Sequence, residues 1–211
     1  MGNLWIFDFD GTLVDSEVAI RRCYLKVTKK LIPERLNFAK KILIGPTLEE
    51  TTSMILTDKK LHLKEDFMQN FQNEYDEKTV LDTPMYPNVD SVLRELKNKN
   101  NSLSILTNKR FKPTYKLIEH FKWANLFDWI ACADMFPEQK NKIEVLNKQK
   151  ISWESYKDIY LVGDTTSDGM AAKSKNMKFI KANYGYGNKQ SWKKIPIYKS
   201  ISNFSELLEL F

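Results

Sequence analysis

The stretch Leu4–Thr12, LWIFDFDGT, decides the reading of the chain. Leu4, Trp5, Ile6 and Phe7 form an apolar run too short for a helix, which predicts a strand covered on both faces. Asp8 and Asp10 follow two residues apart. If strand geometry persists to its end, alternation sets both carboxylates on one side of the chain. Gly11 permits a sharp exit, and Thr12 adds a hydroxyl. Two carboxylates at the carboxyl edge of a parallel sheet repel each other unless a cation or a proton neutralises them. Taken alone, Asp-Phe-Asp-Gly reads equally well as a plain turn.

The rest of the chain gives that strand partners. Ser102–Leu106, Trp129–Cys132, Ile159–Val162 and Met177–Ile180 read as further short strands, separated by helical patterns at Val89–Lys99, Pro113–Phe121 and Lys142–Lys148, with Phe204–Phe211 as a closing helix. This alternation predicts an α/β fold with a parallel sheet covered on both faces. Between the first strand and Pro84 the pattern is helical only. Glu17–Ile32 carries Val18, Tyr24, Leu25, Val27, Leu31 and Ile32 at roughly helical spacing. A second helical stretch precedes Gly45-Pro46, TLEETTSMIL follows with Thr47 or Pro46 at its start, and Lys64–Thr79 sets Phe67, Phe71 and Tyr75 on one face. The expected division is a core of residues 1–15 and 82–211 and a small all-helical insertion, 16–81.

Composition bounds the function. The 211 residues, 42% hydrophobic and 28% charged, suit a folded core with a modest insertion. No apolar run reaches the length of a membrane span and no signal peptide is expected, so a cytoplasmic location is the expectation. Cys23 and Cys132 lack metal-like spacing and read as buried free thiols. The net charge of +6 comes from 33 basic and 27 acidic residues, but the lysines are scattered and form no single stripe with interleaved aromatics. A solvated surface is expected rather than a nucleic-acid interface.

In parallel sheets ligands sit at the carboxyl ends of the strands. Asp8 and Asp10 follow the first strand, Thr107 and Asn108 the second, and Gly163-Asp164-Thr165 with Asp168 the strand Ile159–Val162. Each group alone could be a cap or a turn; their coincidence on one edge points to a site.

These stretches resemble, in order, the motifs of the haloacid dehalogenase superfamily of phosphotransferases. DFDGTLVD matches the nucleophile motif, SILTN the phosphate-binding motif and VGDTTSDGMAA the acidic motif; Lys140 matches the basic one, with Lys142 competing. The resemblance implies a Rossmann-like core, and the helical insertion matches the cap of the phosphoglycolate phosphatase-like subgroup. It also implies a Mg2+-dependent phosphatase for small phosphorylated metabolites, such as phosphoglycolate or a sugar phosphate. Asp8 would be the nucleophile and Asp10 the acid and base. Lys140, Thr107 and Asn108 would hold the phosphate, and Asp8, Asp164 and the Asp10 carbonyl the metal. Asp168 would either bind metal or hold the lysine. The donors are hard oxygens, which suits Mg2+ and disfavours zinc. A phosphomutase and a retired binding protein are the alternatives, and dehalogenation fits poorly with so many acids. Leu13–Ser16 and Asp82–Pro87 are the hinge candidates, and Gly45-Pro46-Thr47 is either a loop reaching the leaving group or a helix connector. Asn88 and Asn176 stand where relatives often carry glycine, which asks each to serve in a tight turn.

Overall fold

The computed structural model describes residues 2–136, 138 and 141–210. Six parallel strands make one sheet: β1 (Leu4–Phe7), β2 (Ser102–Thr107), β3 (Trp129–Cys132), β4 (Ile159–Gly163), β5 (Lys178–Ala182) and β6 (Lys199–Ile201), in the order β3-β2-β1-β4-β5-β6. β1 lies at the centre, with Phe7 in register with Ile105 on one side and Val162 on the other. The chain order reverses direction beside β1, which opens a crevice at the carboxyl ends of β1, β2 and β4.

Alternation sorts the core. Trp5, Phe7, Leu103, Ile105, Tyr160 and Val162 face one layer, packed with Val92, Leu93 and Leu96 of α5 (Val89–Asn98), Leu117 and Ile118 of α6 (Phe111–His120) and the turn at Phe204 and Leu207. Leu4, Ile6, Leu106 and Leu161 face the other, against Val145 and Leu146 of α7 (Lys142–Asn147) and Ala171 and Ala172 of α8 (Thr166–Ser174). All four β1 side chains are fully buried, each worth about 1.5–3 kcal/mol of transfer free energy. Trp5 stacks on Tyr160 at 4.3 Å between centroids.

The insertion is helical: α1 (Glu17–Leu31), the short α2 (Leu36–Ala39), α3 (Leu48–Ile55) and α4 (Lys64–Glu74), joined by 3-10 turns. Thr47 caps α3 through a reciprocal pair with Glu50. The first apolar layer continues without a break from Phe9 and Val14 into Tyr24, Phe67, Phe71 and Tyr75. The two crossings between core and insertion pair with each other, since Asp15 N–H donates to Pro84 O at 2.9 Å and Tyr86 N–H to Leu13 O at 3.0 Å.

Several details depart from the sequence pattern. α4 ends at Glu74, and Tyr75–Thr79 continues as a wider π turn. Val18 is on the exposed side of α1, whose inner face is Ala19, Ile20, Cys23, Tyr24 and Val27. The closing segment Phe204–Leu210 is a 3-10 helix. β6 was not expected; its three residues carry too little apolar pattern to announce a strand. The strands β1 to β5, both faces of helices and the helical insertion follow the reading. Both cysteines are buried and unbridged, and among the described residues no helix is long and apolar enough to cross a membrane.

Asn88 and Asn176 adopt left-handed backbone, with φ of 67° and 54°. Asn88 precedes α5, and Asn176 lets Met177 N–H return to Ala172 O at 2.9 Å beyond the end of α8. Left-handed geometry costs a residue with a Cβ roughly 1–2 kcal/mol, a penalty Asn largely escapes. Asn88→Ala is expected to lower stability to urea by about 1 kcal/mol, while Asn88→Gly leaves it unchanged or raises it; equal loss in both variants would contradict this assignment.

Candidate active site

β1 delivers its last side chains to the crevice. Asp8 N–H still bonds Val162 O in the ladder at 2.9 Å, and its carboxylate accepts from Phe9 N–H at 2.7 Å. The chain then turns through Gly11, at φ 79°. A Cβ there would stand 2.5 Å from Asp164 Oδ2, so both the turn and the close approach require glycine. Asp164 follows β4 and receives Tyr186 N–H at 2.6 Å. Thr12 Oγ1 lies 3.5 Å away from its other oxygen.

Among the described residues, the lysine paired with Asp8 is Lys142, in the first turn of α7 behind the cap residue Asn141. Its ammonium stands 2.7 Å from Asp8 Oδ1 and 2.5 Å from Asp168 Oδ1, and the residue is 2% exposed. Lys140, the lysine preferred from the sequence, lies outside the described residues; its competitor Lys142 stands beside Asp8. Asp168 uses its second oxygen to accept from Thr165 N–H at 2.9 Å and Thr165 Oγ1 at 2.7 Å, capping α8 while it holds Lys142.

Asp8, Asp164 and Asp168 each place one carboxylate oxygen so that all three lie within 4.8 Å of one another. At an effective dielectric constant of about 20, two like charges at that separation repel by about 3–4 kcal/mol. Burial, then the charge of Asp168, pushes the Asp8 carboxyl up to about 7, against the opposing pull of Lys142. Burial and the charges of Asp8 and Asp168 likewise hold the Asp164 carboxyl well above the usual carboxylate range. For Lys142 burial works against the charged form, but Asp168 and Asp8 outweigh it and the ammonium is stabilised. With all three carboxylates ionised, one lysine leaves two negative charges uncompensated. A divalent cation with a preference for hard oxygen donors fits that donor set and charge.

Asp10 points to a different environment. Ser16 Oγ donates to its Oδ1 at 2.5 Å, and Lys109 Nζ lies 3.0 and 3.2 Å from its two oxygens. Lys109 also donates to the Tyr75 hydroxyl at 2.6 Å, across from the insertion. Tyr186 ties the same corner together: its hydroxyl accepts from Ser16 N–H at 2.8 Å and Glu17 N–H at 3.0 Å, satisfying the start of α1. Thr107 Oγ1 accepts from Lys109 N–H at 3.1 Å, and Asn108 Nδ2 donates to Gly45 O at 3.2 Å.

Asp8, Asp10, Thr107 and Asn108 line a cavity of about 60 Å3, closed from the insertion by Ile20, Tyr24, Ile44, Gly45, Pro46, Leu48, Phe71 and Tyr75. The structure therefore gathers Asp8, Asp10, Thr107, Asn108, Asp164 and Asp168 at one edge, as the spacing suggested. Lys109, Ser16, Tyr75 and Tyr186 are additional. Adjacency to Thr107-Asn108 was the available signal for Lys109; Tyr186 carried none beyond the GYG context of Gly185–Gly187.

The sequence pattern of the haloacid dehalogenase-like hydrolases matches residues 5–182. The phosphoglycolate phosphatase of Aquifex aeolicus is 31% identical over 209 residues, which cover 97% of this chain and 94% of that one. The phosphoglycolate phosphatase of Psychrobacter arcticus is 25% identical, covering 98% of this chain and 94% of that one. Among solved structures, a haloacid dehalogenase-like family hydrolase from Streptococcus pneumoniae aligns with a TM-score of 0.80 at 21% identity, over 100% of this chain and 98% of its own. CbbY from Rhodobacter sphaeroides, solved with phosphate, gives 0.74 at 18% identity, over 98% and 96%. These structures share the fold, and the sequence match carries the kinship: the chain belongs to the haloacid dehalogenase-like hydrolase family.

Proposed function

We propose that this hydrolase is a Mg2+-dependent phosphatase, a phosphoric monoester hydrolase that acts on small phosphorylated metabolites through an aspartyl-phosphate on Asp8. The observation that carries the reading is the buried Asp8 carboxylate, held by Lys142 and facing a cavity between core and insertion that is also lined by Asp10, Thr107 and Asn108. The names of the Aquifex and Psychrobacter relatives support phosphoglycolate as a substrate, within the wider class of small phosphorylated metabolites.

The chemistry needs a nucleophile, a proton carrier and neutralisation of the phosphoryl charge. An Asp8 oxygen attacks phosphorus, and the bond from phosphorus to the leaving oxygen breaks as that oxygen takes a proton from Asp10. In the second half Asp10 removes a proton from water, the water oxygen bonds to phosphorus, and the bond to Asp8 breaks. Inorganic phosphate leaves and Asp8 is restored. Lys142, the Thr107 hydroxyl and the Asn108 backbone N–H hold the non-bridging oxygens. Asp168 keeps Lys142 aimed at Asp8 by accepting its second hydrogen bond. Asp8, Asp164 and the Asp10 carbonyl would hold Mg2+, which supplies neutralisation of the phosphoryl charge when bound. Residues 16–81 act as a lid that excludes water during the first half, swinging about Leu13–Ser16 and Asp82–Pro87.

Two measurements test this reading. With Mg2+, phosphate release from phosphoglycolate or another small monoester is expected in the parent protein, with a fall of at least ~10³-fold in Asp8→Asn or in excess EDTA; undiminished release by Asp8→Asn would remove the nucleophile assignment. The second uses pH. In the metal-free protein the raised carboxyls of Asp8 and Asp164 keep protons that the unfolded chain has lost, so their contribution to stability falls as pH rises towards about 7. Mg2+ requires both groups ionised. The rise in Tm on adding the same Mg2+ concentration is therefore expected to be larger at about pH 8 than at about pH 5, and an equal or smaller rise at the higher pH would contradict the metal site.

A further inference from the structure

Lysines occur along the whole chain, but one stretch leaves them unbalanced. From Gly169 to Ser205 the sequence holds eight lysines and neither an aspartate nor a glutamate, which leaves 25 basic against 27 acidic residues in the rest of the chain. The positive excess of the protein therefore resides in this stretch. Among the described residues two of the eight meet a carboxylate: Lys178 pairs with Asp158 at 2.6 Å and Lys199 with Glu209 at 2.8 Å.

The fold gathers most of the others around α8. The Gln190 side chain accepts from Thr166 N–H at 2.6 Å at the start of that helix, and Lys173 Nζ in its last turn donates to Lys194 O at 3.1 Å, so residues 190–194 run alongside it. Ile195 packs so closely that a Cβ on Gly169 would stand 2.4 Å from it. Lys181 Nζ lies 4.6 Å from the centre of the Trp192 ring, which also stacks on Phe179. Lys173, Lys175, Lys189, Lys193 and Lys194 are exposed. Met170, one helical turn before Lys173, is exposed too, as are Ile197 and Tyr198 beyond Lys194.

We propose that this face docks the protein on an anionic lipid surface as a peripheral attachment. The proposal goes beyond the phosphatase reading and does not depend on it.

Three observations select the partner. The charges are all lysine, and residues 169–205 contain no arginine, whose planar fork suits bidentate contacts to bases and phosphates. Lysine is a hydrated point charge that suits a diffuse anionic layer, and clusters of about four to eight such charges bind anionic leaflets. Second, Trp192 is engaged by Lys181 and Phe179, which takes the central aromatic ring of the face away from base stacking. Third, Met170, Ile197 and Tyr198 set exposed apolar groups beside the charges, the combination that a headgroup layer accepts on its surface.

The test is cosedimentation with vesicles of phosphatidylcholine alone and of phosphatidylcholine mixed with phosphatidylglycerol, at low and high salt. Binding is expected to the mixed vesicles only and to fall as salt rises. Each lysine near an anionic leaflet is worth about fivefold in affinity, so K173Q/K193Q/K194Q should weaken binding by at least ~30-fold. K29Q/K40Q/K59Q removes as many exposed lysines from the insertion and should stay within about twofold of the parent. K173R/K193R/K194R should bind as the parent does, and I197S should lose a few-fold. Tm and far-UV circular dichroism establish that each variant is folded; if the first is not, K193Q/K194Q, whose side chains make no contact among the described residues, replaces it. No binding to the mixed vesicles, equal binding to the neutral ones, or equal losses in the two glutamine triples overturns the proposal. Binding to a single-stranded RNA oligonucleotide in place of the vesicles would assign the face to nucleic acid and overturn it as well.

Discussion

Gathering Asp8, Asp164 and Asp168 at the buried end of the sheet is the constraint on which the rest of the site depends. Each repulsion among them is comparable with a sizeable part of a domain's net stability, typically about 5–15 kcal/mol. The fold offsets it locally. Lys142 enters from the first turn of α7, Tyr186 N–H is directed at Asp164, and Asp168 doubles as the cap of α8. Gly11 leaves room for the Asp164 carboxylate to approach β1. Burial, together with the like charges of the cluster, holds the Asp8 and Asp164 carboxyls up, and the remaining shortfall of positive charge suits the divalent cation that the proposed chemistry requires.

The insertion meets the same edge by other means. Its apolar face is continuous with the layer under β1, while its polar contacts are concentrated where α4 gives way to the π turn. There Tyr75 meets Lys109, Asp76 meets Arg110, and Glu77 meets Lys112 and Lys116 of α6, at 2.5 and 3.0 Å. A π turn is a local widening often found at functional sites. The contacts from Tyr75 and Asp76 are largely buried, unlike those of the exposed Glu77 pairs, which contribute little individually. The seam thus brings one cap residue, through Lys109, to the carboxylate assigned to proton transfer.

Much of this was legible in the sequence because β1 and β4 are short apolar runs followed at once by polar residues, and β2 is nearly so. The β1, β2 and β4 ends could be placed on one edge from that pattern alone, and with them Asp8, Asp10, Thr107, Asn108, Asp164 and Asp168. What escaped depends on three-dimensional packing. That Lys142 reaches Asp8 depends on the rotational setting of the first turn of α7, which periodicity leaves loose by a residue or two. β6 has only three residues at a sheet edge. Lys109 is one of many lysines until the fold buries it between Asp10 and Tyr75, and Tyr186 reaches Ser16 and Glu17 from far along the chain.

The most direct measurement is acid-quenched mass spectrometry of the parent enzyme mixed with Mg2+ and an active monoester, followed by peptide mapping. The account predicts a phosphoryl adduct on the peptide that carries Asp8, formed and lost at rates consistent with turnover. Turnover with the adduct on a different residue, or with an adduct that decays more slowly than turnover, would contradict it.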